Sequence, residues 1–313
     1  MRGLLGLLSF ATVAPPGRSA LRGQNALVRM AGRRRIAVPP SASVTSPSWV
    51  TAGDAEDLPP TKLATTDFLI GNKHNEVLRL QCPTKPVLQQ GILETATLPH
   101  ICIAGESNAG KSSLLNHLLV KRNMARASSV AGKTRTVDMM LVNQRIVVTD
   151  LPGLPSRDGQ VTGMWESTWR PLVFDYFNQC DQLLGMLYVH DVRWKVSSAV
   201  REFITDVRAT GLPVMLILTK DDRLLTELPT NGREPPSRDA VHALRERLMR
   251  RVRRSLAFDG VHVHYSTDNA LPVSRKARRR LLRYIESMVQ AGSREDCRNL
   301  LDEIAEKKFR EFD

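Results

Sequence analysis

The stretch GESNAGKSS, residues 105–113, constrains this chain more than any other. It fits the pattern G-x-x-x-x-G-K-[ST]. Before it stands HICIAG, a short apolar run ending in glycine. After it comes KSSLLNHLLV, in which Leu114, Leu115, Leu118 and Leu119 recur at helical spacing. A strand, a glycine-rich turn and a helix in that order wrap backbone N–H groups and a positive helix end around one phosphate group. Gly105 and Gly110 flank the turn. Lys111 is placed to reach the β- and γ-phosphates of a nucleotide, and the Ser112 hydroxyl to ligate Mg2+.

The rest of the chain repeats the alternation. TVDMMLVN and RIVVTD read as two strands of a hairpin turning at Asn143 and Gln144, and QLLGMLYVH and PVMLILT as buried strands. VHVHYS reads as a last strand. Residues 198–209, 239–256 and 276–289 carry helical apolar faces, and STWRPLVFDYFNQC reads as a helix interrupted near Pro171. Near-continuous apolar strands separated by helices predict an α/β fold: a P-loop NTPase G domain, with a mostly parallel central sheet and helices on both faces. Ligands of such sheets lie at the carboxyl ends of strands, and the remaining motifs fall there.

TKDD, residues 219–222, follows PVMLIL directly. A carboxylate at Asp222 can accept hydrogen bonds from guanine N1–H and the 2-amino group. Adenine offers neither donor, so the carboxylate would be left unpaired against it. The Lys220 stem would lie along the base. DLPG, residues 150–153, ends another strand. Asp150 would hold Mg2+ through water, and the Gly153 N–H would sense the γ-phosphate. In GKTRT, residues 132–136, a threonine hydroxyl would give Mg2+ a further ligand only while the γ-phosphate is present, which makes a switch. Thr134 is the first choice and Thr136 its competitor. Backbone in YST, residues 265–267, would contact guanine O6.

The expected nucleotide contacts are therefore Gly105, Glu106, Ser107, Asn108, Ala109, Gly110, Lys111, Ser112 and Ser113 in the first loop, and Gly132, Lys133, Thr134, Arg135 and Thr136 in the second. Asp150, Leu151, Pro152 and Gly153 follow, then Thr219, Lys220, Asp221 and Asp222, and finally Tyr265, Ser266 and Thr267. Lys111 and Thr134 are the expected catalytic residues. The expected metal ligands are Ser112, Thr134 and, through water, Asp150.

Charge adds a partner class. The chain of 313 residues carries a formal net charge of +13. Residues 1–53 hold seven Arg and no acid, and residues 239–283 hold twelve Lys or Arg against four acids. The second block includes Arg275, Lys276, Arg278, Arg279 and Arg280 at the start of a helix, where cations oppose the macrodipole unless an anion lies nearby. These five are the expected RNA contacts. Few aromatics accompany them, so backbone contact is expected over base stacking. A solvated, solubilising face is the alternative.

The N-terminal block is Arg-rich, Ser-containing and acid-free, with Leu4, Leu5, Leu7, Leu8 and Phe10 as an apolar start. It reads as a mitochondrial transit peptide, against a secretory signal or a plain basic tail. Residues 54–66 read as linker, 67–290 as the G domain and 291–313 as a helical extension. No apolar run reaches the roughly 18 residues of a membrane helix, so no membrane insertion is expected. Cys82, Cys102, Cys180 and Cys297 form no C-x-x-C pair and read as free thiols of a reducing compartment.

With GESNAGKSSLLNHLL, ARASSVAGKTRTVDMMLVN, VVTDLPG, LTKDD and YST in one order, the sequence resembles the EngB (YihA/YsxC) family of ribosome-assembly GTPases over about residues 67–290. FLIGNKHNEVLRL, residues 68–80, is similar to the family's N-terminal lead. The resemblance implies binding of GTP and GDP. It also implies maturation of the large ribosomal subunit by docking on its precursor, rRNA and ribosomal proteins, in the GTP state. The mitochondrial matrix and a monomer off the ribosome are expected. Ala131 stands where the family has Pro, and LPSRDGQ, residues 154–160, replaces its aromatic-glycine run. Some GTPases orient the attacking water with a Gln at the position of Leu154, which cannot do so. Slow intrinsic hydrolysis, stimulated by the precursor, is expected. In resembling GTPases an Asn at the position of Asn108 helps hold K+; a plain hydrogen bond is the alternative. Two rival functions remain: a GTP-holding structural factor with negligible turnover, and a signalling GTPase, which the basic charge disfavours.

Overall fold

The computed structural model describes residues 49–51, 68–71, 74–121, 136–155, 162–227, 237–268 and 272–310. Their elements run β1 (Val50–Thr51), β2 (Val77–Cys82), α1 (Lys85–Glu94), β3 (His100–Gly105), α2 (Lys111–Leu119), β4 (Val137–Val142) and β5 (Ile146–Asp150). A helical turn α3 (Thr162–Met164), a π-helical turn (Trp165–Trp169) and α4 (Arg170–Gln179) follow, then β6 (Leu183–Asp191), α5 (Ser198–Ala209) and β7 (Val214–Thr219). A 3-10 turn (Asp221–Glu227), α6 (Arg238–Leu256), β8 (His262–His264), α7 (Pro272–Ala291) and α8 (Arg294–Arg310) complete the chain.

The strands form one sheet in the order β1-β2-β4-β5-β3-β6-β7-β8. From β5 to β8 every pair is parallel, whereas β1, β2 and β4 add antiparallel partners at the other edge. Every residue of β3, β5 and β6 is buried, which is why these strands read as unbroken apolar runs. The pleat still sorts them. Ile101 and Ile103 pack with Leu114 and Leu118 of α2, Leu281 of α7 and Leu301 of α8. Cys102 and Ala104 face Leu88 of α1, Tyr176 of α4, Phe203 of α5 and Leu248 of α6. The sheet therefore lies between two helical layers. β3 has β5 on one side and β6 on the other, and this is where the topology opens a crevice at the strand ends.

The expected hairpin is present, with Arg145 N–H bonding Val142 O at 3.0 Å and both Asn143 and Gln144 at φ +52°. Such left-handed pairs match the twist of the flanking strands. The interruption expected near Pro171 falls one turn earlier. Pro171 sits in the first turn of α4, where its missing N–H costs little, and the wide Trp165–Trp169 turn ends with Arg170 N–H bonding Trp165 O. α7 begins at Pro272, earlier than the predicted residue 276, because proline suits the first helical position.

β2 and α1 give structure to a region that sequence periodicity left unassigned, and the helical extension expected over 291–313 is present as α8. β2 and α1 build the family-like lead into the sheet. Trp49 Nε1 donates to Glu94 Oε2 at 2.7 Å, so the described fold reaches back into the 1–53 segment. α8 forms part of a helical layer: Cys297, Leu301 and Ala305 are buried, and Arg294 donates to Phe177 O, Cys180 O and Leu183 O. All four cysteines are buried free thiols. Among the described residues no helix is long and apolar enough to cross a membrane.

Candidate nucleotide site

The loop after β3 is shaped by a glycine that no other residue could replace. Gly105 has φ +152°, and a Cβ there would lie 2.2 Å from Val189 O on β6. Asn108 and Gly110 also take positive φ, so the chain doubles back before α2 begins at Lys111. Lys111 Nζ is buried and donates to Gly105 O at 3.0 Å and Glu106 O at 3.2 Å. Burial pushes its ammonium pKa down, against the pull of Asp150 and Glu106. The lysine thus closes the loop on itself, with its charge set at the end of β3. Ser112 and Ser113 follow in the first turn of α2.

DLPG packs against this loop from β5. Leu154 N–H bonds Gly105 O at 3.1 Å, and Ser107 N–H bonds Leu154 O at 3.2 Å. A Cβ on Gly153 would come within 2.5 Å of Ser107 Oγ. Leu154 is itself buried, so its side chain is a core residue with no reach toward an attacking water. Asp150 is also buried, and its Oδ1 has no hydrogen-bond partner. Desolvation raises its carboxyl pKa to about 7, opposed by Lys111. An unpartnered carboxylate oxygen on the strand beside the phosphate loop fits a hard, oxygen-seeking cation such as Mg2+, as does the Ser112 hydroxyl.

The TKDD segment is fastened to the same loop. Thr219 Oγ1 donates to Ala109 O and to His190 O. Lys220, at φ +59°, crosses to Asn108 O at 2.7 Å and to Asp191 Oδ2 at 3.1 Å, with its ammonium 5.1 Å from the Trp194 ring centroid. Asp221 is buried and held by Arg245 and by His264 Nδ1 at 3.1 Å, and these hydrogen bonds bring its carboxyl below the usual range despite burial. Asp222 is half-buried at the start of the 3-10 turn. The YST loop completes this wall: Asp221 N–H reaches Tyr265 O at 3.4 Å, and Asp268 N–H bonds Ser266 Oγ at 3.1 Å. The Tyr265 hydroxyl turns inward to His117 Nδ1 at 2.7 Å, and its backbone N–H bonds Leu218 O at 2.7 Å.

Four of the five predicted segments therefore converge at the ends of β3, β5, β7 and β8. Gly132, Lys133, Thr134 and Arg135 lie outside the described residues. Thr136, the competitor of Thr134 for Mg2+, donates its hydroxyl proton to Asp138, which also holds Arg79. The Glu106 side chain is buried, with Oε2 3.4 Å from His190 Nδ1 on β6. Its backbone remains in the loop. Asp191 is a site residue that sequence reasoning missed. It is fully buried, takes three bonds from Arg193 and steadies Lys220. Its only signal is an acid ending an apolar strand.

One predicted RNA contact is overturned. Arg278 is buried, and its guanidinium donates to His117 O, Leu118 O and Gly71 O at 2.9 Å each. It closes the C-terminal end of α2, where a cation complements the helix dipole, and it has no face left for RNA. Arg275, Lys276, Arg279 and Arg280 are exposed.

A strand, phosphate loop and helix, with an aspartate-bearing guanine loop two strands away, define a P-loop GTPase fold. The model of the family described as 50S ribosome-binding GTPase matches residues 100–220. The "Probable GTP-binding protein EngB" of Gemmatimonas aurantiaca is 36% identical over 131 residues, 41% of this chain and 62% of that protein. That of Syntrophomonas wolfei is 33% identical over 135 residues, 42% of this chain and 67% of that protein. A solved structure of a probable GTP-binding protein EngB aligns with a TM-score of 0.42 and 18% identity, over 58% of this chain and 97% of that one. The chain belongs to the EngB family.

Proposed function

We propose that this protein is a slow GTPase that serves as an assembly factor for the mitochondrial large ribosomal subunit, docking on its rRNA-containing precursor in the GTP state. One observation carries the nucleotide part: Gly153 of DLPG and the following Leu154 are packed directly on Ser107 and Gly105 of the phosphate loop. A γ-phosphate in that loop is therefore felt by the segment that leads into residues 156–160. The description of the matching family as ribosome-binding supports the partner, and the exposed cations of α7 suit an RNA backbone. The Arg-rich, acid-free start supports the mitochondrial matrix.

In the mechanism, Lys111 leaves the carbonyls of Gly105 and Glu106 for the β- and γ-phosphate oxygens, and backbone N–H groups of the loop hold the rest. Ser112 and Thr134, and Asp150 through water, are the residues that would hold Mg2+, which would neutralise developing phosphate charge. Asp222 selects guanine. Nothing at Leu154 orients water, so the chemical step waits on a group from the precursor; Asn108 is the residue that would hold a K+ ion, which would supply positive charge near the phosphates.

The buried Leu154 also favours a second reading, a structural factor that holds GTP with negligible turnover. Turnover of purified protein in potassium and sodium buffers, with and without large-subunit particles, separates the two. Stimulation of at least about tenfold by particles is expected. Equal, negligible rates in all four conditions would leave the structural reading.

A further inference from the structure

Beyond the nucleotide site, the edge of the sheet carries a second recess. β8 is the terminal strand, with α6 on one side and α7 on the other. Between these helices lies a groove of about 710 Å³, with β8 along it. Arg250 and Arg253 line it from α6, Lys276 and Arg280 from α7, and one carboxylate, Glu246, stands among them. His264 of the same groove is the residue whose Nδ1 meets Asp221, next to Asp222.

The structure separates working cations from idle ones. Arg245 is spent on Asp221, Arg251 on the carbonyls of Arg193 and Trp194, Arg253 on Phe258 O and Asp259, and Arg278 on α2. Arg250, Lys276 and Arg280 are exposed and form no ion pair or hydrogen bond with any described residue. They stand on opposite walls of one groove. Bringing such cations together costs free energy unless an anion lies between them.

We infer that the α6–α7 groove along β8 is the protein's RNA site, gripping a stretch of phosphodiester backbone between Arg250 on one wall and Lys276 and Arg280 on the other. This rests on the proposed RNA-containing partner and narrows it to one place. Charge complementarity favours RNA over an acidic peptide: exposed Arg275 and Arg279 on α7 and Arg247 and Arg254 on α6 extend the positive field past the groove. That suits a long polyanion crossing the edge. Among the described residues no tryptophan, tyrosine or phenylalanine lines the groove, and of the ring side chains only His242, His262 and His264 do, so the grip is chiefly on phosphate.

The test uses the full chain and a labelled single-stranded RNA of mixed sequence, with binding read by fluorescence anisotropy across a salt series. A groove triple, Arg250→Glu with Lys276→Glu and Arg280→Glu, is compared with a flank triple of equal charge change, Arg247→Glu with Arg254→Glu and Arg283→Glu. Thermal melts check that both fold. The groove triple is expected to bind at least about tenfold more weakly and to lose roughly 2 from the log–log salt slope, three phosphate contacts' worth for a single strand. The flank triple should change less than about threefold. Equal losses in both triples would show a diffuse charge field and overturn the site, as would undiminished binding by the groove triple. Displacement of RNA by polyglutamate at lower charge concentration would overturn it in favour of an acidic protein partner. Because the RNA is free of ribosomal particles, the assay stands apart from the assembly reading. Particle co-migration retained by the groove triple would keep that reading and sink the groove. Groove-dependent RNA binding without co-migration would do the reverse.

Discussion

Asp222 owes its position to its neighbours. Asp221, beside it, is anchored by Arg245 and His264, and Lys220 is anchored by Asp191 and Asn108. On the proposed reading, this half-buried carboxylate would make two charge-assisted hydrogen bonds with guanine. Losing them costs about 3 kcal/mol, roughly a hundredfold in affinity. Asp222→Asn is therefore expected to weaken binding of a fluorescent GTP analogue by about that factor while improving binding of the xanthine analogue, whose C2 oxygen accepts from the new amide. Unchanged preference for guanine in a competition titration would remove Asp222 from the base contact. TKDD made this residue readable in the sequence. Asp191 was not readable, because its meaning lies in a lysine 29 positions away that only the fold brings within 3.1 Å.

His100 gives a second residue-scale consequence. It is buried at the start of β3, with Nδ1 3.1 Å from Tyr176 Oη and Nε2 3.4 Å from Thr95 O. Burial pushes its pKa down to about 4, only partly countered by the Thr95 carbonyl. The ordinary value is about 6.5, so between these limits the unfolded chain binds the extra proton. Stability from this group is complete above pH 6.5 and is lost as pH falls toward 4. Urea unfolding should show the wild type losing about 2 kcal/mol more than His100→Gln between about pH 7 and pH 4.5. Parallel losses in the two proteins would assign the acid sensitivity elsewhere.

At the scale of elements, α7 shows how one helix serves two layers of the account. Its inner face carries Leu281, Leu282, Ile285 and Met288 into the core, and its amphipathic spacing announced this in the sequence. The cation run from Arg275 to Arg280 announced only charge. Arg278 falls on the inner side and caps α2, whereas its neighbours face out, because helical geometry turns each residue by about 100°. Removing a buried guanidinium leaves carbonyls of Gly71, His117 and Leu118 without that donor. Arg278→Ala is expected to cost about 3 kcal/mol in urea unfolding, and Arg278→Lys less. A loss under about 0.5 kcal/mol for the alanine variant would mean that water replaces the cap. The π-helical turn before α4 was illegible for a related reason. Pro171 signalled a defect, but its place depends on which carbonyl must do without a donor.

Across the whole molecule, an eight-stranded sheet puts the nucleotide loops at one set of strand ends and the cationic groove along its β8 edge. The strands' order of motifs was legible because each chemistry-bearing loop follows an apolar run. β2 and α1 were not, since β2 is placed by distant partners such as Val142 opposite Val77 and Met139 opposite Leu80, whereas α8 falls in the helical extension expected over 291–313. His264 lines the groove and is bonded to Asp221, so it would join the proposed RNA groove to the guanine loop. That junction is what a nucleotide-controlled docking factor needs.

The central claim is nucleotide-dependent docking on a large-subunit precursor. Its most direct test is sedimentation of the tagged protein in mitochondrial lysate with GTP, GDP or a non-hydrolysable GTP analogue. Co-migration with large-subunit precursors in the triphosphate states alone is the predicted result. Co-migration regardless of nucleotide, or in none of the three states, would contradict it.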